Sequence, residues 1–208
     1  MLSELTTADR LLLDRISGTG EAMCAMTCDW SRVNTGSWNA KGLQDFVRHL
    51  EKRFSELPGS TEIIDAGGIE LVSSQGQPVT HETGPVIRHT VRPDAPVQVV
   101  MTGHYDTVFP AESGFLDVTD IGDGKLNGPG LADMKGGLIV MTEALKAFES
   151  HPDAARLGYR IIITPDEEIG NPVSAPFLAE TAQGAHVGMT YEPALETGGF
   201  AGERKGSG

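Results

Sequence analysis

The chain has 208 residues, a formal net charge of −13 at pH 7, and an ordinary apolar content with few aromatics. That length supports one domain with a core burying roughly 70% of the unfolded surface. The acidic balance argues against nucleic acid or an anionic membrane as partner, because both require a basic surface. No apolar run approaches the roughly 20 residues of a membrane span. The N-terminus lacks the basic start and apolar stretch of a signal peptide, so a cytoplasmic location is expected.

Two helices are expected at 8–16 and about 20–31, broken at Gly18-Thr19-Gly20. Cys24 and Cys28 fall four apart in the second. Two cysteines do not make a disulfide framework, and packing as small, half-buried apolar groups is a simpler reading than a metal pair. Residues 40–57 form a clearer helix. Leu43, Phe46, Val47, Leu50, Phe54 and Leu57 follow the i, i+3, i+4 pattern, and Pro58-Gly59 ends it. Strands are expected at 61–66 and 86–91. The short apolar run VQVVMT at 97–102 reads as a strand covered on both faces. A Gly-, Pro- and Asp-rich loop follows from 103 to 130. A helix is expected at 134–148, a second buried strand (YRIIIT) at 159–164, a short helix at 174–183 and a third strand at 186–191. Residues 202–208 look like the approach to a further strand. Strands alternating with helices define an α/β fold, with a mostly parallel sheet and helices on its faces.

Three of these strands run into metal-capable or acidic side chains. VQVVMT leads to Gly103-His104-Tyr105-Asp106, YRIIIT to Pro165-Asp166-Glu167-Glu168, and HVGMTY to Glu192-Pro193. In open parallel sheets, sites form at the carboxyl ends of the strands. His104, Glu167, Glu168 and Glu192 are therefore expected on one edge of the sheet. Asp133, just before a helix, suits a position facing the positive end of a helix dipole. Each signal alone is commonplace: His-x-Asp is usually a structural pair, and Asp-Glu-Glu is usually solvated. Together they crowd like charges, which raises carboxylate pKa values unless a cation compensates. One imidazole with several carboxylates is a suitable ligand set for zinc, with manganese or cobalt as substitutes.

The motifs GHYDTVFP, GPGLADMKGG, TPDEEIG and YEPA, in this order and spacing, resemble the dinuclear zinc exopeptidase family. That family includes glutamate carboxypeptidase, aminoacylase, acetylornithine deacetylase and succinyl-diaminopimelate desuccinylase. The glutamate carboxypeptidase-like branch looks nearest. The resemblance spans nearly the whole chain and extends to Val33-Asn34-Thr35-Gly36. It implies a three-layer αβα catalytic domain holding two zinc ions. By the resemblance His104 and Glu192 bind one metal, Asp133 bridges both, and Glu168 binds the other. Asp106 orients His104, Glu167 is the general base, and the Asp133-Met134 peptide bond is cis. The implied reaction is hydrolysis of an amide bond in a peptide or N-acyl amino acid.

The chain is also shorter than the family pattern. Residues 1–208 are expected to be the N-terminal part of the catalytic domain. The lid domain, through which the full-length form would make a homodimer, and the C-terminal catalytic segment with its additional His ligand are expected to be missing. His49, His81, His89, His151 and His186 read as surface or satisfied core residues rather than substitutes. Little or no activity is expected of the chain alone. The alternative reading is a catalytically inactive fragment, or a metal- or partner-binding remnant of such an enzyme.

Overall fold

The computed structural model describes residues 5–194. Helix α1 (Thr7–Ser17) starts at a capping box: the Asp9 amide donates to the Thr6 hydroxyl, and the Asp9 carboxylate accepts from the Thr6 amide. Helix α2 (Gly20–Ser31) follows after the expected break. Cys28 is half-buried as expected, whereas Cys24 is exposed, because α2 packs through Met23, Met26 and Trp30 instead. Asn39 caps α3 (Ala40–Phe54) by accepting from the Gly42 amide. The apolar stripe of α3 is buried as its spacing requires. The helix ends three residues before 57, where a tighter turn from Phe54 to Leu57 still delivers Leu57 to the core.

The strands are β1 (Ser60–Ile64), β2 (Gly68–Val72), β3 (Pro78–Glu82), β4 (Val86–Val91), β5 (Val97–His104), β6 (Thr119–Gly122), β7 (Lys125–Asn127), β8 (Leu157–Thr164) and β9 (Val187–Thr190). Helix α4 (Gly136–Phe148) lies between β7 and β8, and α5 (Ala175–Ala182) between β8 and β9. Two hairpins, β2–β3 and β6–β7, escaped the sequence reading. Both are largely exposed, so neither shows the apolar pattern of a buried strand. Helix α4 begins at 136 rather than 134. Asp133 and Met134 have non-helical dihedral angles, and the peptide bond between them is cis.

The main sheet has five strands in the order β1-β4-β8-β5-β9. β8, β5 and β9 are parallel, while β4 is antiparallel to both β1 and β8. Four strands therefore run one way, and β4 alone is reversed. Each face of the sheet is covered. Ile87, Val99, Met101, Ile161 and Ile163 pack with Phe46, Leu50, Leu138 and Met141 of α3 and α4. Val86, Val100 and Ile162 point to the other face, against Phe177 and Leu178 of α5. The α3–α4 side holds the larger apolar cluster. At about 1.5–3 kcal/mol per fully buried side chain, it contributes most of the hydrophobic stabilisation. No helix among the described residues is long and apolar enough to cross a membrane.

Candidate functional site

β5 and β8 pair in parallel with His104 opposite Thr164, so the segments that leave their carboxyl ends emerge side by side. β9 lies on the other side of β5, and its last residue, Thr190, pairs with Thr102. His104, Glu167, Glu168 and Glu192 consequently meet at one edge of the sheet, as the strand ends suggested. The turn before α4 brings Asp133 to the same place.

The His104 side chain is buried, at 1% exposure, while Asp133, Glu167 and Glu192 form a half-exposed rim above it. His104 Nε2 stands 3.0 Å from Asp133 Oδ1, 3.7 Å from Glu192 Oε2 and 3.8 Å from Glu167 Oε2. His104, Asp133 and Glu168 each offer a ligand atom within 4.8 Å of the others.

Beneath the imidazole, fully buried Asp106 organises the site. Its Oδ1 lies 3.2 Å from His104 Nδ1 and accepts from the Glu167 amide at 3.1 Å. Its Oδ2 accepts from the Glu168 amide at 3.1 Å and from Ser37 Oγ at 2.8 Å. Nδ1 of His104 also faces the Asp106 carbonyl oxygen at 3.1 Å. Nδ1 is surrounded by acceptors and therefore carries a proton, which turns Nε2 toward the rim carboxylates. One carboxylate thus sets the imidazole orientation and positions the backbone of both glutamates.

The electrostatics are those of crowded acids around one base. Burial works to lower the His104 pKa, but the neighbouring carboxylates of Asp106 and Glu192 outweigh it and raise it to about 11. Burial, followed by repulsion from Asp133, raises Glu168 to about 7. Burial also raises Glu167; His104 opposes this, while Glu192, Asp106 and Asp133 add to it. Nε2 and the rim oxygens are all electron-pair donors, so a proton or a cation must lie among them. An imidazole nitrogen with several carboxylate oxygens fits a divalent metal such as zinc.

Supporting residues that the sequence did not single out surround this cluster. Ser37, one residue past the Val33–Gly36 stretch, ties that loop to Asp106. Asp166 is fully buried and accepts from the Val173 and Ser174 amides through Oδ2, closing the loop that carries Glu167 and Glu168. Lys135 is 1% exposed and donates to the carbonyls of Trp30 at 3.0 Å and Val33 at 2.8 Å, 4.7 Å from the Phe46 ring centre. Burial lowers its pKa to about 7. It fastens the Asp133 turn to the end of α2. A Cβ on Gly137 would come within 2.0 Å of the Tyr191 carbonyl oxygen, so this glycine lets α4 approach the chain just before Glu192.

The other histidines stay outside the cluster. His89 lies 2.9 Å from Thr61 Oγ1 and 2.8 Å from the Pro58 carbonyl oxygen. His49 stacks on Phe46, His81 packs edge-on against Trp38, His151 lies 3.5 Å from Asp9, and His186 Nδ1 accepts from the Gln98 amide. The further strand expected at 202–208 lies outside the described residues.

Sheet and cluster together define an α/β domain with a candidate metal centre at the carboxyl ends of its parallel strands. Residues 100–203 match the model of peptidase family M20/M25/M40, and the chain belongs to that family. Solved structures share the fold. Human carnosine dipeptidase 1 superposes with a TM-score of 0.69 at 21% identity, over 89% of this chain and 41% of its own. The di-peptidase Dug1p from Saccharomyces cerevisiae gives 0.66 at 18% identity, over 84% and 38%. An M20 family metallo-carboxypeptidase from Sulfolobus solfataricus gives 0.63 at 15% identity, over 85% and 38%. The chain therefore spans about two-fifths of the length of these structures.

Proposed function

We propose that the chain provides the metal-binding core of a hydrolase that cleaves an amide bond in a peptide or N-acyl amino acid. The observation that carries this reading is the convergence of His104, Asp133 and Glu168 within 4.8 Å at the strand ends, with Glu192 beside His104 Nε2. Family membership and the peptidase names of the neighbours support it. In this reading His104 and Glu192 would hold one zinc ion, Glu168 would hold a second, and Asp133 would contribute to both. Cobalt and manganese are chemically acceptable substitutes. When bound, such metals lower the pKa of water and polarise a carbonyl.

The protein's own residues do the rest. Glu167 is held by its backbone amide on Asp106, with its half-exposed carboxylate free at the rim. Its raised pKa makes it a stronger base than an ordinary carboxylate. It takes the proton of the attacking water and returns it to the leaving amine. Asp106 keeps His104 in one tautomer throughout. We read residues 1–208 as the N-terminal part of such a catalytic domain. Its share of the neighbours' length supports this. Dimerisation through a lid domain belongs to the same reading.

The test is Glu167→Gln. Turnover is expected to vanish in an active form of the protein, while zinc content, measured by elemental analysis, stays that of the wild type. Loss of zinc on this substitution would make Glu167 a ligand and overturn its role as base. A wild-type chain that binds no zinc would overturn the whole reading.

A further inference from the structure

Glu168 faces a second feature besides the metal-type cluster. A pocket of about 200 Å³ opens beside it, walled by Trp38, Val108, Pro110 and Ile169, with Thr107 beneath. Its volume is that of about seven liquid waters, enough for one medium-sized side chain. Ser37 Oγ donates to Asp106, and Thr107 Oγ1 is buried without a hydrogen-bond partner among the described residues, shielded from the pocket's open space. Apart from Glu168, what the pocket offers a ligand is mostly carbon. Trp38 and Val108 are 49% and 59% exposed, so their apolar surface is open to a ligand.

The walls are built to hold their shape. The Ser37 amide donates to the Thr107 carbonyl at 3.1 Å, the Thr107 amide to the Thr35 carbonyl at 2.9 Å, and Asn34 Nδ2 to the Phe109 carbonyl at 2.9 Å. The two loops lie so close that a Cβ on Gly36 would fall 2.5 Å from the Phe109 oxygen. The outer wall, Trp38, is braced edge-on by His81 at a ring separation of 4.9 Å. Ser37 couples this frame to the carboxylate that orients His104, so pocket and cluster form one preorganised unit.

We propose that this pocket is a specificity subsite that takes an apolar side chain flanking the scissile bond. Trp38 and Val108 are its selecting residues, and it discriminates against acidic side chains. This inference rests on the hydrolase reading for the position of the scissile bond. The selectivity follows from the pocket alone. Apolar atoms displace loosely held water there, whereas a carboxylate would lose hydration without gaining a partner and would face Glu168. Apolar pockets commonly discriminate by about tenfold or more per methylene group.

The experiment is a titration of the 208-residue chain with N-acetyl-glycine, N-acetyl-leucine, N-acetyl-phenylalanine and N-acetyl-glutamate, with zinc and again with excess chelator. Binding is read by calorimetry and by fluorescence, and zinc affinity is measured separately. The leucine and phenylalanine compounds are expected to bind at least about tenfold more tightly than the glycine compound, and the glutamate compound no more tightly than glycine. Trp38→Ala and Val108→Ser are each expected to erase the preference without changing zinc affinity. Equal binding of all four, no binding of any under either condition, or a preference that survives both substitutions overturns the proposal. Failure to bind zinc, with the ligand preference intact under chelator, would instead remove the hydrolase reading and leave the pocket.

Discussion

Asp106→Asn changes one oxygen to an amide nitrogen at the point where the site is held together. The native carboxylate accepts from three donors, the Glu167 and Glu168 amides and Ser37 Oγ, and lies 3.2 Å from His104 Nδ1. Asparagine keeps one oxygen and turns an NH₂ group toward the remaining donors. The Ser37 hydroxyl can rotate to become an acceptor, but an amide or imidazole N–H cannot. At least one buried donor is then left unpaired, at a cost of about 1–3 kcal/mol in stability. The imidazole also loses the anion that fixes its tautomer, and such losses weaken metal binding about 10–100-fold, or about 1.4–2.7 kcal/mol. Zinc affinity is measured by competition with a chromophoric chelator, and folding by thermal melting of the metal-free protein. Ser37→Ala provides a graded control. It removes one donor and leaves the charge, so its effect on zinc is expected to be about threefold or less, within the net value of one ordinary hydrogen bond. A folded Asp106→Asn protein with wild-type zinc affinity would refute the claim that Asp106 organises the centre.

Zinc binding is expected to release protons. His104, raised to about 11, and Glu168, raised to about 7, must both give theirs up. Calorimetry in buffers of different ionisation enthalpy should count about two protons below pH 7 and about one above pH 8, with zinc affinity rising accordingly; binding without proton release would contradict it. Both folded-state pKa values lie above the ordinary values of 6.5 for histidine and 4.5 for glutamate. In the metal-free protein, the Glu168 contribution to stability is therefore lost as pH rises from 4.5 to about 7, and that of His104 from 6.5 to about 11. Away from the site, Arg53 is 3% exposed and joins α3 to α4 through Thr142 and Glu143, with Glu56 of the following turn also bound to it. Arg53→Leu removes the bonds to Thr142 and Glu143 but leaves Lys146 3.1 Å from the Glu143 carboxylate, and is expected to cost about 1–3 kcal/mol in urea unfolding. A loss below about 1 kcal/mol would show that the ion pair is screened as surface pairs are.

Much of the candidate site was legible because its residues sit where local pattern ends. An apolar run marks a buried strand without knowledge of its neighbours, and the side chains just past VQVVMT and YRIIIT must leave from strand ends. His104, Glu167 and Glu168 could be placed on one edge of the sheet for that reason. The i, i+3, i+4 stripe of α3 was equally local. Strand order was not, because pairing depends on partners far along the chain. Nothing in residues 86–91 announces that β4 is reversed or lies between β1 and β8. The exposed hairpins β2–β3 and β6–β7 bury too little to leave an apolar signature. Lys135 shows the limit most clearly. A lysine in sequence reads as a solvated charge, yet packing α2 and α3 around it leaves 1% exposed and supplies two carbonyls and the Phe46 ring. Asp106 was readable as a partner for His104, two residues away. Its hold on Ser37, Glu167 and Glu168 was not, since those donors lie more than sixty residues away in sequence and only the folded sheet brings them to one carboxylate.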